Sequence, residues 1–570
     1  MTEKILRWES SQKEQGTGIG KQIGNNWISD KEKGVALLHS ERILHYHSMT
    51  DLVGVACASA VTLLLTCGYI NQIQHGAASF NMETLIATLV GLSTLVALLW
   101  YCTATFNYWR KKGVRTLNPL PLFGDVAKII LRRQSPALVF QQLYHQFQGE
   151  KYGGIYQART PVLLVRDPEL IKQILVKDFS FFPSKGVHAD LKQDPLACNL
   201  FNLEGDHYSV KLMEHLQQLT KNTDIIDVYD VLVNFTMDAT GSCAFGIEVN
   251  AMTDESSIIK KMGHRVIKAN GNTLNEILHS ISPVLPKLFK KSVFPQEVTD
   301  FFKDIILEII NYRDMNHIVK KDVMQLLMLA RNKTDAIDNN KADDDFPSCQ
   351  DSSEKDEVFD EVMLAAQAAM FLRAGSEKAS TTMSFCLNEL AHQPELQSQL
   401  REEVESAKQE HGGQLTYEIV LGLKLMDRVV AETLRKYPLE SNIYRVCKQP
   451  YTIPGSNVQL DTGTKILIPV YALHHDPENY PEPEKFDPDR FTDDNKNSRD
   501  HFTYLPFGEG PRVCIGFRYG VLQIKVGLAA LLLNYEFSAC SKSTPCPELS
   551  AQTWITSPAN GMWLKVHKRS

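Results

Sequence analysis

The stretch Phe507-Gly508-Glu509-Gly510-Pro511-Arg512-Val513-Cys514-Ile515-Gly516 constrains this chain more than any other. Three glycines and a proline surround one cysteine and one arginine, and an apolar run begins just downstream. Glycine reaches φ > 0 and lets a flat object approach the main chain. Such a loop suits presenting a thiolate to a planar cofactor, with backbone N–H groups pointing at the sulfur. The other use of the same residues is a buried cysteine in a glycine-rich turn. Residues 516–533 read as an apolar helix that packs the loop into a core.

The 570 residues, 43% of them hydrophobic and 22% charged, suffice for a large core. The net charge of −7 excludes nucleic acid as a partner, because there is no basic excess to neutralise phosphates. Eleven cysteines lie scattered with no C-x-x-C pair, which supports neither a disulfide framework nor a structural zinc site and fits reduced cytosolic thiols. His474-His475 is no metal pair either, since adjacent histidines point apart and Asp476-Pro477 starts a turn.

The N-terminal fifth has a different character. Residues 1–51 are polar and without periodicity, an extension of poor order. Two uncharged apolar stretches follow, 52–70 and 84–106, each long enough to cross a bilayer core of roughly 30 Å. The second is richer in Leu, ends in Trp100-Tyr101 and precedes Trp109-Arg110-Lys111-Lys112, so it is the expected transmembrane anchor, with basic residues on the cytoplasmic side. The first is a candidate transmembrane segment, with a buried or interfacial helix as the alternative.

From residue 113 to 570 the chain reads as one large, mainly helical unit with a small β region. Residues 154–165 form two short strands joined by a turn, and Asp167-Pro168 opens a helix. Residues 361–390 form a long helix carrying Ala374-Gly375-Ser376-Glu377-Lys378. Glu432-Thr433-Leu434-Arg435 puts a carboxylate and a guanidinium on one helix face. Downstream lies Pro483-x-x-Phe486-x-Pro488-x-Arg490-Phe491. Residues 332–357 are an acidic surface loop.

With the Phe507–Gly516 loop matching Phe-x-x-Gly-x-Arg-x-Cys-x-Gly at every fixed position, these segments resemble the cytochromes P450, in wording the insect microsomal, xenobiotic-metabolising members. The resemblance implies a P450 fold holding haem b, with Cys514 as thiolate ligand of the iron and Phe507, Gly510 and Gly516 shaping its loop. A thiolate ligand donates electron density and favours O–O cleavage. Arg445 and Arg512 would hold haem propionates. Glu432, Arg435 and Arg490 would form the structural triad beneath the haem, and residues 554–563 a final hairpin reaching the substrate site. The implied partners are NADPH–P450 reductase, through which NADPH acts indirectly, cytochrome b5, a membrane and a lipophilic small molecule. The implied location is the endoplasmic reticulum membrane, catalytic domain towards the cytosol.

Two departures stand out. The family continues after Leu203-Glu204-Gly205-Asp206 with Trp-x-x-x-Arg on a propionate-binding helix; here Tyr208 holds the Trp place and Lys211 is the nearest cation, and the chain is short by a helix or more before Tyr229–Gly246. In the central helix, Ala374-Gly375 is expected to leave room for O2 and Glu377 to take part in proton delivery, but Lys378 occupies the threonine position. A lysine has donors and no acceptor. The expected function is a membrane-bound haem-thiolate monooxygenase acting on xenobiotics or endogenous lipids. The alternatives are a haem protein with impaired oxygen activation, isomerase- or dehydratase-like, and a degenerate non-enzymatic membrane protein.

Overall fold

A computed structural model describes residues 79–184, 208–268, 296–331, 361–412 and 416–569, apart from isolated positions within those ranges. The extension 1–51, the candidate span 52–70 and the acidic stretch 332–357 lie outside the described residues. The chain divides into two units, Met1–Phe106 and Asn107–Ser570.

In the first unit the apolar helix is α1, Ser79–Thr103, five residues earlier at its start than the expected 84–106 and three shorter at its end. Ser79, Asn81 and Glu83 do not break a helix, so absence of charge gave too late a start. At the other end the Thr103 hydroxyl donates back to Leu99 O at 2.8 Å, occupying a carbonyl of the last turn. Ile86–Thr103 is long and apolar enough to cross a membrane. Leu89, Leu92, Leu95, Val96 and Trp100 are all exposed along it.

The second unit is mainly helical. Strands β1, Tyr152–Gln157, and β2, Thr160–Val165, form the expected antiparallel pair. Asp167 then caps the helix Pro168–Lys172 by accepting from Leu170 N at 2.9 Å, and a π-helical turn, Gln173–Lys177, continues it. The larger helices are α2 (Tyr208–Leu219), α3 (Val228–Phe245), α4 (Gln296–Met315), α5 (Glu361–Ala391), the helix Pro394–Glu410, α6 (Lys424–Lys436) and α7 (Phe517–Asn534). β3 is Ile225–Asp227, β4 Ile443–Val446, β5 Tyr451–Thr452, β6 Gln459–Leu460, β7 Lys465–Ile468, β8 Tyr535–Ser538 and β9 Trp563–Lys568. One sheet runs β1-β2-β7-β4, with β2 and β7 parallel and Arg445 opposite Ile466; another runs β3-β9-β8.

Helix α5 is the axis of the unit, packed by α3, α4, α6 and α7. It is rich in Ala and free of proline until Pro394 ends the possibility of continuing it. Three of its buried hydroxyls bond back within the helix: Ser380 donates to Ser376 O (2.8 Å), Ser384 to Ser380 O (2.7 Å) and Thr381 to Glu377 O (2.6 Å), whereas the buried Ser376 hydroxyl has no partner among the described residues. Phe385, Leu387 and Leu390 of α5 share a core with Phe235 of α3, Leu212 and Leu216 of α2, and Leu528 and Leu532 of α7.

Three expectations change here. Helix α2 occupies the Trp-x-x-x-Arg place in sequence but packs into the helix bundle against α3 and α7. Burial raises the pKa of Asp238 on α3, with the Ala251 and Met252 N–H groups and then the Lys211 charge on α2 opposing it, so Lys211 acts on that side of the bundle. Gly375 serves helix packing rather than room for O2: a Cβ there would stand 2.8 Å from both Thr240 Cγ2 and Oγ1 on α3. The second unit, expected from residue 113, already includes Trp109. The Trp109 side chain is fully buried there, its indole N–H donating to Ile155 O at 3.2 Å, while Lys112 pairs with Asp461 at 3.0 Å.

Candidate active site

The cysteine loop is built by local backbone geometry. Gly508 and Gly510 adopt φ of +74° and +77°, the left-handed region that glycine alone enters without strain. At Gly510 there is a second requirement, because a Cβ would sit 2.1 Å from Leu175 O in the π-helical turn. Cys514 N donates to Phe507 O at 2.9 Å and Val513 N to Gly510 O at 2.9 Å, closing the loop before Gly516 starts α7. Cys514 is exposed, and so are its neighbours Val513, Ile515 and Phe517. A thiol thus stands among apolar side chains turned outwards from the core.

Behind this loop the Glu432–Arg435 pair is completely buried and bidentate, Arg435 Nε and Nη2 donating to the carboxylate at 2.7 and 2.9 Å. Arg490 Nε lies 3.5 Å from Glu432 Oε1. Arg435 also donates to His474 O (2.9 Å) and Pro483 O (2.8 Å), and Glu432 accepts from Asp487 N (2.9 Å). A buried ion pair is tolerable only when such additional hydrogen bonds satisfy its remaining valences. The helix α6 and the segment Pro483–Arg490 are therefore tied into one support.

His474 extends that support to the loop itself, a link the sequence did not reveal. Its Nε2 accepts from Leu505 N at 2.9 Å and its Nδ1 lies 3.2 Å from Arg435 O, which fixes the neutral, Nδ1-protonated imidazole. Burial holds its pKa well below the ordinary range. His475 uses Nδ1 on Tyr471 O at 2.8 Å and stacks on the Tyr471 ring. Both histidines are struts.

Two guanidiniums complete the site. Arg445 projects from β4 and is buried, with Nη1 donating to Tyr444 O at 2.8 Å and Nε lacking a partner. Burial, and then the Arg512 charge, pull its pKa down to about 10. Arg512 Nε donates to Pro183 O at 3.2 Å. Two like charges held together against their own repulsion form a receptor for anionic groups. Haem fits these residues: a thiol in an apolar surround for the iron and macrocycle, and two guanidiniums for the carboxylates.

A family model for cytochrome P450 matches residues 206–565. Cytochrome P450 6k1 of Blattella germanica is 34% identical over 523 residues, covering 86% of this chain and 98% of the relative. Probable cytochrome P450 6a13 of Drosophila melanogaster is 36% identical over 509 residues, covering 84% and 97%. The chain belongs to the cytochrome P450 family. It is an insect-type P450 monooxygenase, an oxidoreductase whose cofactor is haem-thiolate iron supplied with electrons by a redox partner.

On the opposite side of this P450's site, α5 departs from expectation. Ala374 and Lys378, one turn apart, are partly exposed on the same face. Glu377 is not on that face. It is buried and paired with Arg373 Nε at 3.2 Å, and burial raises its pKa although Arg373 works against the shift. Tyr229 of α3 lies beside it and has its own pKa pushed up to about 12 by burial and by the Glu377 charge. Lys378 Nζ meets Glu440 Oε1 at 2.5 Å, and Lys378 is also within electrostatic range of Cys514. Glu440 is 62 positions away in sequence and belongs to no motif read from it.

Proposed function

We propose that this P450 is a membrane-bound monooxygenase of lipophilic small molecules, xenobiotics or endogenous lipids, anchored in the endoplasmic reticulum by α1 with the haem domain in the cytosol. Arg110, Lys111 and Lys112, which follow α1, support that orientation. NADPH–P450 reductase is the proposed electron donor, with cytochrome b5 as an auxiliary one. The observation that carries the reading is the exposed Cys514, in its apolar surround, on a support that also delivers Arg445 and Arg512.

In this reading Cys514 ligates the iron as thiolate, and Phe507, Gly510 and Gly516 hold its loop. Arg445 and Arg512 bind the two propionates, and Glu432, Arg435 and Arg490 keep the loop from moving when charge changes above it. When bound, the haem supplies activation of O2 and insertion of oxygen into the substrate. The chain's residues bind and orient the group, and exclude water through the apolar Val513, Ile515 and Phe517. Glu377, buried beside Arg373 and Tyr229 with its pKa raised by burial, is the acid placed for proton delivery.

The test is a reduced-plus-CO difference spectrum of the full-length haem-loaded protein. The red-shifted thiolate band is expected, and Cys514→Ser should abolish it; a protein without the band refutes the assignment. A second reading is favoured by Lys378 on the cavity face: haem chemistry with impaired oxygen activation, such as isomerisation or dehydration. Substrate-dependent NADPH consumption with reductase present supports the first reading, and its absence the second.

A further inference from the structure

The loop between α6 and β4 carries one acid that no motif assigns. Glu440 forms a backbone bridge to Ile555 of the C-terminal loop, and the adjacent Leu439 O accepts from Thr556 N at 2.9 Å. Its side chain meets Lys378 Nζ at 2.5 Å. One ion pair therefore joins three segments distant in sequence: α5, the loop after α6 and the C-terminal loop. The Lys378 side chain is 35% accessible, so the paired ammonium keeps an open side on the helix face it shares with Ala374.

The chemistry of that pair is specific. An ammonium has three donors and no acceptor, and Glu440 engages one of them. Glu377, the acid expected to act on this face, is instead turned to Arg373. Burial acts to lower the Lys378 pKa, but the Glu440 carboxylate, with smaller help from Cys514 and Glu377, raises it above the ordinary lysine value. The group stays charged, within electrostatic range of Cys514, with two N–H donors beyond the one that Glu440 engages.

We propose that Lys378 is the cationic hydrogen-bond donor of the distal cavity and receives anionic ligands of the iron, and that Glu440 is its positioning residue. The inference rests on the haem reading of Cys514. A thiolate-ligated iron repels anions, and a fixed ammonium in a low-dielectric cavity offsets that repulsion far better than a hydroxyl at the same position. Lysine in place of threonine is then a change in what the cavity stabilises rather than simply a lost function.

Cyanide binding to the ferric, full-length haem protein tests this without reductase, O2 or turnover, by titration of the Soret band. Lys378→Met should weaken cyanide binding about tenfold or more, the change expected on losing one charge-assisted hydrogen bond. Lys378→Arg, which keeps a cationic donor, should retain most of the affinity. Glu440→Gln should weaken it by a smaller factor, because the ammonium loses its main carboxylate support and its aim while a side-chain carbonyl still accepts from it. Unchanged affinity in Lys378→Met with the reduced-plus-CO thiolate band intact overturns the proposal. If Lys378→Met does not load haem, Glu440→Gln decides: unchanged affinity there overturns it equally. A missing thiolate band in the unsubstituted protein overturns the haem reading instead.

Discussion

At the scale of single residues, the proximal side of the site was legible because its determinants are local. Gly508, Gly510, Cys514 and Gly516 lie within one loop, and Glu432 and Arg435 within one helical turn, so spacing alone brought each set together. The links between these sets were not legible, because they run through backbone atoms: His474 reaches Arg435 O and the Leu505 N–H. Glu432→Gln should cost about 3–5 kcal/mol, the usual consequence of leaving a buried guanidinium uncompensated, read as a lower guanidinium midpoint together with loss of bound haem. The two histidines add an acid sensitivity. Burial depresses the His475 pKa from 6.5 to about 3, so between those values the unfolded chain binds a proton that the folded chain does not. Stability is then full above pH 6.5 and falls as pH drops below it, by about 1.4 kcal/mol per pH unit for this group. Denaturant titrations just below pH 6.5 should show a shallower slope in His475→Gln than in the parent protein.

At the scale of elements, the existence of α5, α6 and α7 followed from apolar periodicity, whereas the rotation of each helix about its axis did not. The sequence placed Gly375 and Glu377 towards the oxygen side of α5, yet one packs on Thr240 and the other on Arg373. Only the partners of a helix decide which of its faces looks into a cavity, and α3 is the partner here. Likewise, α2 reads as the propionate helix by order along the chain, while its Leu212 and Leu216 commit it to the bundle core. Gly375→Ala separates packing from propensity. Alanine gains up to about 1 kcal/mol in a helix interior, but its Cβ would lie 2.8 Å from Thr240 atoms, and overpacking of this kind costs about 1–3 kcal/mol. Net destabilisation is expected, and Thr240→Ala should reverse it. A double-mutant cycle on melting temperature measures the coupling; additive effects would show that the two residues do not meet.

At the scale of the whole molecule, composition separated an apolar N-terminal region from a globular one, and the chain divides at Phe106. The sequence reading began the second unit at residue 113, whereas Trp109 already belongs to its core beside Gly154. A chain beginning at Asn107 should therefore fold, remain in the supernatant after high-speed centrifugation and keep the thiolate band; one beginning at Val114 loses Trp109 and should not accumulate as holoprotein. The Arg445–Arg512 pair carries a consequence outside the site. Neither guanidinium has a carboxylate hydrogen-bond partner among the described residues, so a group that supplies two negative charges stabilises the folded chain by mass action. Newly synthesised chains meeting too little haem stay longer in reach of chaperones and proteases. With Arg445 and Arg512 assigned to the propionates, the number of copies that survive to maturity is expected to fall when haem supply falls.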